Sequence, residues 1–287
     1  MSIYRNAVWF MKGLSEYTKS GYEAAAKHFI PSDLEVNVTG RSFMITGANS
    51  GIGKAVATAI AKRGGIVHMV CRNKDRAEEA KEEIVKESSN ENVFVHILDM
   101  SNPRRIWQFA QKFSQENKSL NVLVNNAGCM VNQRELTEDG LEKNFATNTL
   151  GTYILTTALI PLLETSEAPR VRQQVILTEQ WAKLHKNIHF SVMHPGWADT
   201  PAVRSSMPDF YEKMKNRLRT EAQGADTVVW LAVSPAASHH PSGLFFQDRK
   251  PVSTHLPLAQ TRSSQEEEEK LLKSLQQLTE KFKNGSL

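Results

Sequence analysis

Short apolar runs alternate with longer amphipathic segments along most of the chain. Runs such as Phe43-Met44-Ile45 and Val122 to Val124 predict buried strands, whereas the charged segment Asp75 to Glu87 predicts a surface helix. A tail from Glu266 to Phe282 places leucines on one side, which predicts an amphipathic helix. This alternation predicts an α/β fold, a parallel sheet with helices on both faces. The other predicted strands are 66–70, 93–98, 188–193 and 243–246, and the other predicted helices are 54–62, 103–116, 137–164, 171–184 and 222–232.

The pattern divides the chain into a leader (residues 1–39), a main domain (residues 40–250) and an extension (residues 251–287). In the leader, bulky apolar residues such as Trp9 and Phe10 occur beside basic ones such as Arg5 and Lys12. This mixture predicts an amphipathic helix over residues 1–33. Such a helix either packs on the domain or lies on a membrane surface, where aromatic and basic side chains are favoured.

Composition narrows the classes of function. The 287 residues are 40% hydrophobic and carry a net charge of +4, which fits one large domain with a full core. No dense basic run interleaved with aromatics occurs, so nucleic-acid binding is not expected. Neither a signal peptide nor an apolar run of about 18 residues occurs, so we expect an intracellular protein, cytoplasmic or peripheral on a membrane. Cys71 and Cys129 lack metal-site spacing, so we expect no metal and interpret both as small buried residues.

A glycine-rich turn from Gly47 to Gly53 follows one predicted strand and opens a predicted helix. Glycines let a backbone approach a pyrophosphate closely, and a helix N-terminus offers N–H groups and a positive dipole end. Arg72 closes the second predicted strand, where an acidic residue would bind the ribose hydroxyls of NAD. A basic residue suits the 2′-phosphate of NADP, so we expect NADP rather than NAD. The alternative is that Arg72 is only a solvated charge.

Five motifs occur in a fixed order along the chain: Thr46-Gly-x-x-x-Gly-x-Gly53, Asp99, Asn125-Asn126-Ala127-Gly128, Asn148-x-x-Gly151 and Pro195-Gly196-x-x-x-Thr200. Together they resemble the short-chain dehydrogenase/reductase family, in its retinol-dehydrogenase-like branch. The resemblance implies a Rossmann-like doubly wound parallel sheet. It also implies NADP-dependent interconversion of a small, lipophilic carbonyl and its alcohol.

The resemblance further implies roles for the matching positions. The glycines of the turn would hold the pyrophosphate, Asp99 would accept from the adenine amino group, and residues 126–128 would shape the floor under the adenosine ribose. Pro195, Gly196 and Thr200 would line the nicotinamide end. The implied cofactor-binding residues are Thr46, Gly47, Asn49, Ser50, Gly51, Ile52, Gly53, Arg72, Asp99, Asn126, Ala127, Gly128, Pro195, Gly196 and Thr200.

The main catalytic residues of that family are not found at the expected place. Its members carry a Ser on a central strand and a Tyr-x-x-x-Lys after it, in which Tyr is the general acid/base, Lys lowers its pKa and Ser orients the substrate oxygen. Here Pro169-Arg170-Val171 resembles the opening of the Ser-bearing strand, and Arg172 to Leu177 resembles the helix after the Lys. We therefore expect a sheet that lacks this central strand, so that Ile188 to Met193 pairs directly beside Val122 to Val124. We also expect impaired catalysis.

One Tyr-x-x-x-Lys occurs elsewhere, at Tyr211 to Lys215, and is expected to be an exposed pair on a substrate lid between Pro201 and Thr220. Of the family's catalytic groups only the relay asparagine is matched, by Asn148. Two interpretations stay open: an oxidoreductase of impaired activity, or a non-catalytic binder of NADP(H) or of a partner. The substrate and the oligomeric state are also left open.

Overall fold

The computed structural model describes residues 2–172, 175–255 and 261–283. Eight strands form one sheet: β1 (Ser42–Thr46), β2 (Ile66–Cys71), β3 (Val93–Ile97), β4 (Val122–Val124), β5 (Arg170–Arg172), β6 (His189–His194), β7 (Leu244–Gln247) and β8 (Lys250–Pro251). Their order is β3-β2-β1-β4-β5-β6-β7-β8. Each neighbouring pair of these strands is parallel except β7 with β8.

Most of the helices that surround the sheet lie close to the predicted places. They are α1 (Ser2–Lys12), α2 (Lys19–Ala26), α3 (Gly51–Ala61), α4 (Lys74–Ser88), α5 (Pro103–Glu116), α6 (Lys143–Phe145), α7 (Thr152–Glu164), α8 (Val175–Leu184), α9 (Pro201–Ser206), α10 (Pro208–Met214), α11 (Glu221–Val233) and α12 (Gln265–Lys283). Two π-helical turns, Gly13–Tyr17 and Ala146–Gly151, join α1 to α2 and α6 to α7. Two 3₁₀ turns are Pro31–Leu34 and Ala236–His239.

The core lies on both faces of the sheet, because successive strand side chains point to opposite sides. On one face Met44 and Leu123 pack with residues of α5, α7, α8 and α12. On the other face Phe43 and Ile45 pack with residues of α3, α4 and α11. Burial on both faces explains why β1 is apolar at its centre, and it confirms the predicted Rossmann-like doubly wound sheet.

A three-residue strand, β5, lies between β4 and β6. Leu123 of β4 pairs with Val171, which in turn pairs with Phe190 of β6. The expectation that a central strand is missing, with β6 directly beside β4, is therefore wrong. Three residues are enough to pair backbone groups of β4 and β6 that would otherwise lie unsatisfied in the core. A helix was expected from Val171, but Val171 and Arg172 belong to β5, and α8 spans Val175–Leu184.

Helices α7 and α8 lie side by side on one face, as expected. The ring of Tyr153 in α7 stacks on that of Trp181 in α8, with the two ring centroids 5.4 Å apart. The long helix expected from residue 137 starts only at Lys143, where the Glu142 carboxylate accepts the N–H groups of Asn144 and Phe145 at 3.0 and 2.8 Å.

The leader and the C-terminal helix dock on the main domain in different ways. The leader is two helices rather than the single helix expected, because Thr18 is extended and its hydroxyl caps α2 by accepting the N–H of Gly21 at 3.4 Å. Tyr17 is buried, whereas most of α1 is exposed. At the other end Leu275 and Phe282 of α12 are buried in the core. Across the described residues, no helix combines the length and the apolar character that crossing a membrane requires.

Candidate cofactor site

The turn from β1 into α3 is built on glycines that the backbone requires. Gly47 has φ +68° and Gly51 has φ +58°, values that favour glycine. A Cβ on Gly53 would collide with the carbonyl oxygen of Gly47 and with the side chain of Asn126. Ser50 is the N-cap residue of α3, and its side chain makes no capping bond within the described chain. The first N–H groups of α3, which like those of any helix have no intrahelical partner, are thus not capped by Ser50 and face the turn.

Cys71, the last residue of β2, lies beside this turn, a placement that the sequence pattern did not reveal. Its thiol is buried beside the backbone of Ala48 and Asn49, whose N–H groups favour a lower pKa of the thiol. Burial raises the pKa of the Cys71 thiol to about 11, so the group is a neutral thiol at physiological pH. Cys71 is thus buried as expected, and it lies beside the glycine turn.

Hydrogen bonds join the carboxyl ends of β1 and β4, and they are made by Thr46, Asn126 and Ala127, which were among the predicted site residues. The Thr46 hydroxyl oxygen accepts the N–H groups of Asn126 and Ala127 at 3.0 and 2.9 Å. The Asn126 side-chain amide donates to the carbonyl oxygen of Thr46 at 2.9 Å. This places residues 126–128 directly beside the glycine turn, in the crevice where the strand order reverses.

Asn148 holds the backbone that follows this segment. Its Oδ1 accepts the N–H of Cys129, and its Nδ2 donates to the carbonyl oxygen of Cys129, both at 2.8 Å. Asn148 lies in a π-helical turn, a feature that recurs at functional sites. Cys129 is only half-buried, and its sulfur lies 3.5 Å from Oδ1 of Asn144. The expectation of Cys129 as a buried, small apolar residue is therefore wrong, because polar groups lie beside its sulfur.

Arg72 and Asp99 lie at the same edge of the sheet, because β1, β2 and β3 are parallel and both residues follow strand ends. Arg72 is exposed immediately after β2. Asp99 accepts the backbone N–H and the hydroxyl of Ser101 at 2.8 and 2.7 Å, which fixes its carboxylate.

A cavity of about 210 Å³ lies beyond the end of β5, between the carboxyl ends of β4 and β6. Asn125 has one amide atom, Nδ2, bonded to the Thr156 hydroxyl at 3.0 Å. Its other amide atom, Oδ1, is buried without a hydrogen-bond partner among the described residues. Buried polar atoms are usually hydrogen-bonded, so this acceptor is a notable exception in the site. The described lining residues are Ile52, Val124, Asn125, Asn126, Met193, Pro195 and Val228.

The Pro195–Gly196 turn and Thr200 approach the glycine turn from the β6 side. A Cβ on Gly51 would lie 3.5 Å from Cγ2 of Thr200, whose hydroxyl caps α9. The N–H of Gly196 donates to Nδ1 of His194 at 3.0 Å. Burial lowers the pKa of His194 to about 4, so the imidazole is neutral and can accept this bond.

The substitute pair, Tyr211 and Lys215, lies at the lid, defined here as residues 201–220. The Lys215 ammonium bonds the carboxylate of Glu212 at 2.7 Å, and the Arg204 guanidinium lies 5.6 Å from the Tyr211 ring. Lys215 is exposed as expected, whereas Tyr211 is partly buried in the apolar cluster of the lid.

Known proteins are similar to this chain over either nearly all of its length or about half of it. Residues 41–171 match the family model described as short chain dehydrogenase. Bovine Dehydrogenase/reductase SDR family member 12 is 59% identical over 318 positions, which cover 99% of this chain and 100% of that protein. The chain belongs to the short-chain dehydrogenase/reductase family. Mouse Retinol dehydrogenase 12 is 41% identical over 136 residues, which cover 47% of this chain and 43% of that protein.

A solved structure of a family member has the same fold. The short-chain dehydrogenase from Shigella flexneri, complexed with NADP, has a TM-score of 0.62 at 21% identity and covers 76% of this chain and 99% of that chain. The alignment with the bovine relative spans 318 positions, more than the 287 residues of this chain, so that relative carries residues without a counterpart here. The family match ends at Val171, within the short strand β5.

Proposed function

We propose that this short-chain dehydrogenase/reductase binds NADP(H) at the carboxyl ends of β1 to β4. The observation that carries the proposal is the glycine turn, in which Gly47 and Gly51 adopt positive φ and Gly53 leaves no room for a Cβ. Such a turn brings backbone N–H groups close to a pyrophosphate at the start of α3.

The remaining residues of the site fit the same ligand. Arg72, exposed after β2, would pair with a 2′-phosphate, and Asp99 would accept from the adenine amino group. Pro195 and Asn125 line the cavity beyond β5, which would receive the nicotinamide end. When bound, NADPH supplies a hydride to a carbonyl carbon.

We further propose that catalysis by this chain is impaired. No tyrosine occurs in the sequence between Tyr153 and Tyr211, so α8 follows β5 without the family's proton donor. Loss of a positioned general acid alone typically slows a reaction by about 10²–10⁴-fold. The reaction class is interconversion of a carbonyl and an alcohol on a lipophilic substrate, in keeping with the similarity to the retinol dehydrogenases.

The alternative is a non-catalytic binder of NADP(H) or of a partner. A panel of aldehydes and ketones assayed with NADPH separates the two, with Tyr211→Phe as the control for the displaced Tyr-x-x-x-Lys. Slow turnover that Tyr211→Phe leaves unchanged supports the impaired enzyme. If the chain turns over a substrate and Tyr211→Phe abolishes that turnover, Tyr211 is the proton donor and the proposal of impaired catalysis is contradicted. If the wild-type chain is inactive on the whole panel, the non-catalytic binder is supported.

Arg72→Glu tests the choice of NADP over NAD. Reversal of this charge is expected to weaken NADPH binding by about tenfold or more and to leave NADH binding unchanged. Arg105→Glu, an equal change of charge at an exposed position on α5, is the control and should alter neither affinity. Unchanged binding of both cofactors by Arg72→Glu would remove the assignment.

A second proposal concerns α1, which we infer lies on an anionic membrane surface. Its Ile3 and Met11 side chains are 84% and 66% exposed. The helix has no acidic residue, and its exposed Arg5 suits an anionic lipid headgroup, whereas the Lys12 ammonium pairs with the Glu16 carboxylate at 2.6 Å.

Flotation with vesicles of phosphatidylcholine and phosphatidylserine tests this surface. Ile3→Glu with Met11→Glu should keep the chain out of the vesicle fraction. Leu184→Glu is the control, because Leu184 is 70% exposed on α8, outside the leader. If the wild-type chain does not float, the membrane contact is refuted.

A further inference from the structure

The second half of the leader is joined to the cofactor site by backbone hydrogen bonds. The N–H of Trp197 donates to the carbonyl oxygen of Tyr17 at 2.7 Å, and the N–H of Lys19 donates to that of Arg217 at 2.8 Å. The N–H of Arg219 donates to the carbonyl oxygen of Trp197 at 2.8 Å. The leader, the segment after β6 and the end of the lid therefore form one hydrogen-bonded layer.

A buried guanidinium fixes this layer. The Arg219 side chain is only 1% exposed and pairs with both carboxylate oxygens of Asp248, at 2.6 and 2.9 Å. It also donates to the carbonyl oxygens of Glu16 at 2.6 Å, Thr18 at 3.3 Å and Pro195 at 3.3 Å. A bidentate, charge-assisted pair in the interior is strong and directional, so one side chain ties two leader carbonyls to the Pro195 turn.

The turn itself is shaped to receive that side chain. Gly196 has φ +74°, and a Cβ at this position would collide with the guanidinium of Arg219. The leader covers the turn from the other side, because the Tyr17 ring lies 4.3 Å from the His194 ring and 5.9 Å from that of Trp197. A close-packed contact of this kind transmits a displacement of the leader to the turn.

We propose that the leader is a working part of the cofactor site, in which Tyr17 and Arg219 act as positioning residues for the Pro195–Gly196 turn. The inference rests on the proposed binding of NADP(H). In the proposed binding mode the cavity lined by Pro195 would hold the nicotinamide end, whereas the glycine turn and Arg72 would hold the pyrophosphate and the adenosine end. Tyr17 and Arg219 contact the side of the site that holds Pro195. Disturbing them should therefore weaken binding of the nicotinamide half alone.

Two ligands separate the two halves of the site. Adenosine 2′,5′-bisphosphate carries only the adenosine half, whereas NADPH carries both halves. Tyr17→Ala is expected to weaken NADPH binding by about tenfold or more and to change bisphosphate binding by less than about twofold. The control is Tyr4→Ala, an equal change at a leader tyrosine that is 50% exposed on α1. It should leave both affinities unchanged.

Arg219→Lys gives a second test that does not depend on the first variant folding. Lysine keeps a positive charge for Asp248, but one ammonium cannot make the bidentate pair and also reach three carbonyl oxygens. The same selective loss of NADPH affinity is expected, with thermal unfolding of each free variant measured in parallel. Equal weakening of both ligands, or no weakening of either, by folded variants would overturn the inference. A folded wild-type chain that binds neither ligand would instead reject the proposed function itself.

Discussion

At the scale of single residues, the site depends on glycines at which even one added carbon atom, a Cβ, would collide with neighbouring atoms. The motif glycines could be predicted because their spacing reports a backbone need. The placement of Cys71 and the role of Arg219 could not, because they depend on contacts with residues distant in the sequence. Arg219 meets Glu16 and Asp248, and nothing in its local sequence indicates this.

Gly53→Ala should destabilise the turn, because the added Cβ meets the backbone carbonyl of Gly47, which cannot move freely. Overpacking of this kind costs about 1–3 kcal/mol of folding free energy, and NADPH affinity should fall with it. Gly128→Ala is the matched control, since its nearest contact would be Oδ1 of Asn148 at 3.5 Å, an ordinary separation. Urea denaturation of both variants measures the difference. Equal stability of the two would contradict the close approach of Gly53 to Gly47.

The His68 and His96 pair should make stability depend on pH. Nδ1 of His68 lies 3.0 Å from Nε2 of His96. The His68 ring stacks on Phe94, and both histidine rings lie edge-on to Phe113. Burial lowers the pKa of His68 to about 4, and the neighbouring His96 contributes to that shift. A histidine in the unfolded chain has a pKa of about 6.5, so between pH 4 and pH 6.5 the unfolded state binds more protons than the folded state. Stability is therefore full above about pH 6.5 and is lost as the pH falls towards about 4.

Urea unfolding at pH 7 and pH 5 measures this effect. His68→Leu removes the titrating group, so its stability should fall less between the two pH values than that of the wild-type chain. His239→Gln, at an exposed surface position, should retain the wild-type dependence. Parallel pH dependences for His68→Leu and the wild type would refute the assignment to His68.

At the scale of elements, most strands and helices could be predicted from period and length. Val122 to Val124 and Pro103 to Glu116 match the structure at both ends. The short strand β5 could not be predicted, because Arg170-Val171-Arg172 places one apolar residue between two charged ones, and pairing with its neighbours β4 and β6 defines it. The breaks in the leader and before α6 were missed because side-chain caps at Thr18 and Glu142 decide them.

Helix α12 offers a test of whether the extension stabilises the domain. Leu275 is fully buried against the core formed with α5 and α7, so Leu275→Ala should lower the free energy of unfolding by about 2–5 kcal/mol. Gln276→Ala changes an exposed neighbour on the same helix and should have little effect. Denaturant titration of both variants decides the matter. An undiminished stability of Leu275→Ala would show that α12 does not hold the domain together.

At the scale of the whole molecule, the two ends of the chain pack on the main domain. The leader meets the Pro195 turn and the lid through Tyr17, and α12 covers the face of α5 and α7 through Leu275. The domain between them has the glycine turn of the proposed cofactor site, while its sequence holds no tyrosine between Tyr153 and Tyr211 to donate a proton. Cofactor binding and catalysis are therefore expected to be separable properties of this chain.

Calorimetric titration of the purified chain with NADPH tests the central claim most directly, with circular dichroism to establish that the chain is folded. The glycine turn, Arg72 and the cavity beyond β5 predict saturable binding of one NADPH per chain. A folded chain that releases no binding heat and shows no thermal stabilisation by NADPH would contradict the account.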